Sequence, residues 1–174
     1  MPGSPPLITV ITGVAGCGKT TLGRLAARHR DCPFFDGDTF HDARARAKMS
    51  RGEGLNDADR IPWLGRIRER IESFLTAGAP AVFACSALKH KYRSLLARPG
   101  EPVQLVYLRI SPELAGERLA GRKDHFAGPS LAASQFADLE EPGPGEALWL
   151  DASRPPETLL HDLMQKPEAL HQPE

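Results

Sequence analysis

Cysteine is scarce: Cys17, Cys32 and Cys85 are the whole complement of 174 residues. They lie far apart and make no C-x-x-C pair, which argues against a disulfide framework and a zinc site and fits a reducing cytosol. Net charge is missing too, since 22 Lys and Arg balance 22 Asp and Glu. No broad basic field is therefore on offer to nucleic acid or to an anionic membrane. No apolar run approaches the roughly 20 residues that cross a bilayer. The stretch MPGSPPLITV lacks a basic segment followed by an apolar one, so no secretory signal is expected and the expected location is cytoplasmic. Internal repeats and long low-complexity blocks are also missing.

What is present suits one domain over 1–174, with loose ends expected at 1–6 and 166–174. Apolar content of 41% and charged content of 25% are ordinary for a globular chain. Short apolar runs alternate with helical spacing. LITVIT (7–12), CPFF (32–35), AVFAC (81–85), VQLVYLRI (103–110) and ALWLD (147–151) read as five strands. Helices are expected over 18–30, 39–50, 88–97, 111–121 and 156–165. Another is expected from Asp59 to Thr76, with Asp59 as N-cap, Pro62 in the first turn and Gly78 as its stop. This alternation predicts an α/β fold, a five-stranded parallel sheet flanked by helices. In such sheets ligands gather at the carboxyl ends of the strands.

Residues 13–20 read GVAGCGKT and satisfy G-x-x-x-x-G-K-[ST]. Glycines let the backbone curl so that main-chain N–H groups face phosphate oxygens, and the next helix adds its positive end. Gly13, Val14, Ala15, Gly16, Cys17, Gly18, Lys19, Thr20 and Thr21 are thus candidate ATP-binding residues. Lys19 would reach the β- and γ-phosphates, and the Thr20 hydroxyl would ligate Mg²⁺. The Cys17 thiol at this helix start is expected to react with alkylating reagents, with ATP protecting it.

Two further absences narrow the class. No N-K-x-D motif marks a GTPase, and the third strand ends AVFACS without the carboxylate of a motor ATPase. A small-molecule or nucleotide kinase remains. In FFDGDTFHDA (34–43), Asp36 and Asp38 follow strand two, where such kinases often supply an acidic group.

The words DGDTFH (36–41), GEGLNDADRIPWL (52–64), CSALKHKYR (85–93), LVYLRISPELAGERLAGRKDHF (105–126) and SQFADLEEP (134–142) resemble the gluconate kinase family. The resemblance runs from about 7 to 165. It implies a phosphate-loop kinase fold with a mobile lid near 118–134, Mg²⁺-ATP dependence, a homodimer, and transfer of the γ-phosphoryl to the 6-hydroxyl of D-gluconate.

Residue by residue, Asp38 is the candidate for orienting and deprotonating the hydroxyl and for holding Mg²⁺ with Thr20. Asp36 either shares that work or fixes the loop through an Asx turn. Arg60 is the candidate for the gluconate carboxylate, as an arginine in a similar place serves shikimate kinases. Its alternative is a surface ion pair with Asp57 or Asp59. His41 and Lys89 are further substrate candidates, against the alternatives of an exposed polar residue and a solvated helix charge. Arg93 carries the same choice as Lys89. Arg118 and Arg122, four apart on one helix face, resemble the lid pair of nucleoside monophosphate kinases. Arg118 would stack on adenine or brace the phosphate loop, and Arg122 would stabilise charge on the transferred phosphoryl.

The chain departs from the family's common pattern at Asp42 and Ala45, where proline and asparagine are usual, and at Gly54 and Gly145. These bear on acceptor preference more than on reaction type. Two other readings stay open: a kinase of this fold acting on a shikimate-like acid or a nucleotide, and a nucleotide-binding protein without transfer activity.

Overall fold

The computed structural model describes residues 6–122 and 129–166. Five strands form one parallel sheet in the order β2-β3-β1-β4-β5: β1 (Ile8–Thr12), β2 (Phe34–Asp36), β3 (Ala81–Ala84), β4 (Val103–Arg109) and β5 (Leu148–Asp151). Central β1 is buried along its whole length. Successive side chains of a strand point to opposite faces, and the core divides accordingly. Ile8, Val10, Phe83, Leu105 and Tyr107 face one layer, while Ile11, Val82, Val106 and Leu108 face the other.

Helices α3 (Asp57–Ala77) and α4 (His90–Leu96) cover the first layer. Leu64, Ile67 and Ile71 recur every three or four residues on α3 and are fully buried. Each such side chain contributes about 1.5–3 kcal/mol relative to exposure. Helices α1 (Lys19–His29), α5 (Pro112–Ala120), α6 (Pro129–Asp138) and α7 (Pro156–Gln165) supply the second layer through Leu22, Ala26, Ala115, Leu119, Ala132, Leu159 and Leu163.

Several boundaries differ from expectation. Helix α3 begins at Asp57 because Asn56 is the N-cap. Its side chain accepts from the Asp59 N–H while the Asp59 carboxylate accepts from the Asn56 N–H, both at 3.1 Å. Asp59 therefore sits inside the capping box, and Pro62 falls past the first turn. The helix expected over 39–50 is broken. A 3-10 turn, Gly37–Phe40, is followed by extended His41, and α2 (Ala43–Ser50) restarts with Asp42 accepting from the Ala45 N–H at 2.8 Å. Helix α6 was not expected at all, since PSLAASQFAD is built mostly of small residues.

Two residues expected to be loose are tied down. The Pro6 carbonyl accepts from Arg30, and the Lys166 carbonyl accepts from Gln104 at 3.0 Å. Of the lid expected over 118–134, residues 123–128 lie outside the described residues.

Candidate active site

The loop after β1 has the curl its glycines permit. Gly13 and Gly16 have φ of 142° and 85°, a region that L side chains rarely enter. Space forbids a side chain as well. A Cβ on Gly13 would lie 2.8 Å from Cys17 Sγ and 2.9 Å from the Leu108 carbonyl oxygen. One on Gly16 would lie 2.9 Å from the Ala115 carbonyl oxygen. Gly18 caps α1, and Lys19 and Thr20 open it.

The loop's polar groups find partners within the protein. Lys19 Nζ donates to the carbonyls of Gly13 at 2.9 Å and Val14 at 3.0 Å. The Ala15 N–H donates to Gln135 Oε1 at 2.6 Å. The Gly13 N–H donates to the Ser86 carbonyl at 3.3 Å, joining the loop to the end of β3. Arg118 holds the loop from outside, donating to the carbonyls of Gly16 at 3.4 Å and Ala152 at 2.7 Å. Of its two sequence-based roles, this geometry matches the brace. Val14 and Cys17 are buried and Thr21 is exposed. The Cys17 thiol is walled in at 1% exposure, which runs against easy alkylation.

The acidic pair lies beside the loop. Asp36 ends β2, and its Oδ2 accepts from the Thr20 hydroxyl at 3.4 Å. Its Oδ1 accepts from the Asp38 N–H at 3.0 Å, so the Asx-type cap expected as one alternative is present as well. Asp38 stands exposed in the first turn of the 3-10 helix. Buried Cys85 lies near all of these groups. Its thiol pKa is pushed up to about 12, chiefly by burial; the Ala87 backbone and Lys19 pull it down, and Asp38 and Asp36 pull it up.

His41 is buried rather than exposed, at 7%. It stacks on Trp63 with centroids 4.3 Å apart, and its Nδ1 has no hydrogen-bond partner. Burial lowers its pKa from the ordinary value, partly offset by Asp38. Helix α3 clamps the whole turn. Trp63 Nε1 donates to the Gly37 carbonyl and Arg66 Nε to the Phe40 carbonyl, each at 2.7 Å.

Arg60 sits on the same helix, half-buried over the Tyr92 ring, with one N–H on Asp138 Oδ2 at 3.1 Å. It is an ion pair, but not the one the sequence suggested. Asp59 is taken by Lys48 at 2.8 Å and Asp57 by Lys91 and the Tyr92 hydroxyl. Lys89 caps α4 and is half-buried. Arg93 is no solvated charge: it is 2% exposed and donates to Glu146 at 2.6 Å and to the carbonyls of Ala87, Leu88 and Glu140. Arg122 is exposed just past α5.

A family profile described as an AAA domain matches residues 8–141. Gluconokinase of Gluconobacter oxydans (strain 621H) is 37% identical over 164 residues, 94% of this chain and 92% of that protein. The chain belongs to the gluconokinase family. The thermoresistant gluconokinase of Escherichia coli (strain K12) is 36% identical over 155 residues, 88% of this chain and 89% of its own. The crystal structure of a gluconokinase from Sinorhizobium meliloti 1021 superposes with a TM-score of 0.84 at 34% identity, covering 97% of this chain and 95% of that one. A shikimate kinase from Bacteroides thetaiotaomicron shares the fold, with a TM-score of 0.65 at 20% identity.

Within this gluconokinase-family site, Gln135 and Asp138 are the residues that sequence reasoning missed. The word SQFADLEEP contains both, but nothing in it signals that Gln135 would meet Ala15 or that Asp138 would meet Arg60 across 78 positions. No helix among the described residues is long and apolar enough to cross a membrane.

Proposed function

We propose that this protein is a gluconokinase that transfers the γ-phosphoryl group of ATP to the 6-hydroxyl of D-gluconate, yielding 6-phospho-D-gluconate and ADP. The contact of the Thr20 hydroxyl with Asp36 carries the reading, because it sets the acidic edge of β2 directly against the phosphate loop. Family membership supplies the acceptor.

In this reading the main-chain amides of 13–20 and Lys19 hold the β- and γ-phosphates, and Arg118 keeps the loop in shape. Lys19 exchanges its present bonds to the Gly13 and Val14 carbonyls for phosphate oxygens. The Thr20 hydroxyl and a neighbouring carboxylate are hard oxygen donors of the kind Mg²⁺ takes together with water and phosphate. Asp36 is the carboxylate that touches Thr20, so it joins Asp38 as a candidate for that ion. Bound there, Mg²⁺ would neutralise charge on the β- and γ-phosphates.

Asp38, which is exposed, orients the 6-hydroxyl and accepts its proton as the oxygen attacks phosphorus and the bond to the β-phosphate oxygen breaks. Arg122 stabilises charge on the phosphoryl group in flight. Arg60 takes the gluconate carboxylate and Lys89 assists. The unpartnered His41 Nδ1 is buried, so His41 meets a sugar hydroxyl only if the turn over it opens. The three free cysteines support a cytoplasmic location, and the family resemblance supports a homodimer.

The test is ADP release measured with D-gluconate, close polyhydroxy acids, shikimate and nucleoside monophosphates in turn. Stimulation by gluconate above the others is expected. Gluconate without effect, beside a responsive analogue, would transfer the reading to another acceptor.

A further inference from the structure

Helix α6 carries two side chains that reach the two halves of the site. Gln135 and Asp138 are three residues apart and so share one face of the helix. Gln135 Oε1 accepts from the Ala15 N–H of the phosphate loop at 2.6 Å. Asp138 Oδ2 accepts from Arg60 at 3.1 Å. Phe136 packs against the α1 and α5 side of the core, and Ala132 is 3% exposed within it. Gln135 and Asp138 each offer the chemistry of an incoming substrate. A neutral oxygen sits on a main-chain amide of the phosphate cradle, and a carboxylate sits on a guanidinium.

We propose that Gln135 and Asp138 are substrate stand-ins, and that α6 couples binding of the terminal phosphate to binding of the acid acceptor. The proposal rests on the gluconokinase reading for the identity of the acceptor. Each side chain occupies a donor that a substrate must take. The γ-phosphoryl displaces the Gln135 carbonyl from Ala15, and the acceptor carboxylate displaces Asp138 from Arg60. Both tethers belong to one helix. Losing the first loosens its seat and lowers the cost of losing the second. Such coupling is reciprocal by thermodynamic necessity. It also discriminates between nucleotides, because ADP has no γ-phosphoryl to dislodge Gln135.

The experiment is calorimetric titration of the wild type, Gln135→Ala and Asp138→Asn with a non-hydrolysable ATP analogue, ADP and D-gluconate, singly and in pairs. In the wild type the analogue and gluconate should each tighten the other by about fivefold or more, with ADP giving a smaller effect. Gln135→Ala should bind the analogue more tightly on its own, and Asp138→Asn should do the same for gluconate. In both variants the mutual tightening should fall towards none. Weaker binding of the cognate ligand would show that the side chain supports the ligand instead of competing with it, and would overturn the proposal, as would undiminished coupling. Should gluconate not bind the wild type, the acceptor assignment fails, while the response of Gln135→Ala to the ATP analogue still decides the stand-in role. Asp138→Asn keeps the shape of the side chain, and thermal melting of both variants checks the fold.

Discussion

Trp63 lies flat on His41, with ring planes 14° apart, and also donates its indole N–H to the Gly37 carbonyl. One side chain of α3 thus fixes both ends of the turn that carries Asp38. Trp63→Ala removes a nearly buried ring and should cost about 3–5 kcal/mol, read from denaturant unfolding. A loss below 1 kcal/mol would mean that the turn does not depend on this contact.

The same stack gives stability a pH dependence. Burial holds the His41 pKa below its ordinary value. The unfolded chain therefore binds a proton at a higher pH than the folded one. His41 contributes stability above its unfolded pKa, about 6.5, and that contribution is lost as pH falls towards the folded value. Unfolding curves for wild type and His41→Gln at neutral and mildly acidic pH should show a smaller acid loss in the variant. Parallel losses would assign the acid sensitivity to other groups.

The two carboxylates after β2 should separate in kinetics. Asp38→Asn is expected to lower kcat by about 10²–10⁴-fold with nucleotide affinity retained. Asp36→Asn should instead raise the Mg²⁺ concentration needed for half-maximal rate, since its partner is Thr20. An unchanged kcat in Asp38→Asn would remove that residue from the chemistry.

Arg93 and Glu146 form a buried ion pair at 2.6 Å, and Glu146 also accepts from the Gly143 N–H. Burial tends to raise the Glu146 pKa, but Arg93 and the backbone donor outweigh it and leave it lowered. Glu146→Ala leaves a guanidinium buried without its counter-charge and should cost about 3–5 kcal/mol. Replacing both partners by leucine and methionine should cost less than that single change. A single-variant loss no larger than that of the double would show that the pair contributes little.

Cys17 is expected to resist alkylation in the folded protein, because its thiol is enclosed by the loop it belongs to. Timed labelling followed by peptide mass mapping should find Cys32, which is half-buried, modified ahead of Cys17. ATP should slow Cys17 further. Rapid labelling of Cys17, indifferent to ATP, would contradict the enclosure.

What the sequence made legible was whatever acts locally. GVAGCGKT specifies its own curl and helix start, and the largely apolar runs of β1, β3 and β4 announce burial on both faces. The break after the 3-10 turn was hidden because helical spacing over 39–50 is real, and only the Asp36 and Asp42 caps interrupt it. The start of α3 was misplaced because Asp59 and Asn56 are both good caps and act together. Arg60 with Asp138 and Ala15 with Gln135 could not be read at all. They join segments far apart in the chain through a helix of small residues that has little apolar pattern to declare it.

The order of the strands has a further consequence for how such enzymes diversify. The phosphate loop is built on β1, locked between two neighbours at the middle of the sheet, whereas Asp38 and the turn that carries it follow β2, a three-residue strand at one margin. Change at the margin disturbs one neighbour, while change at the middle disturbs two. Selection can therefore retune what receives the phosphoryl group while leaving untouched the apparatus that delivers it.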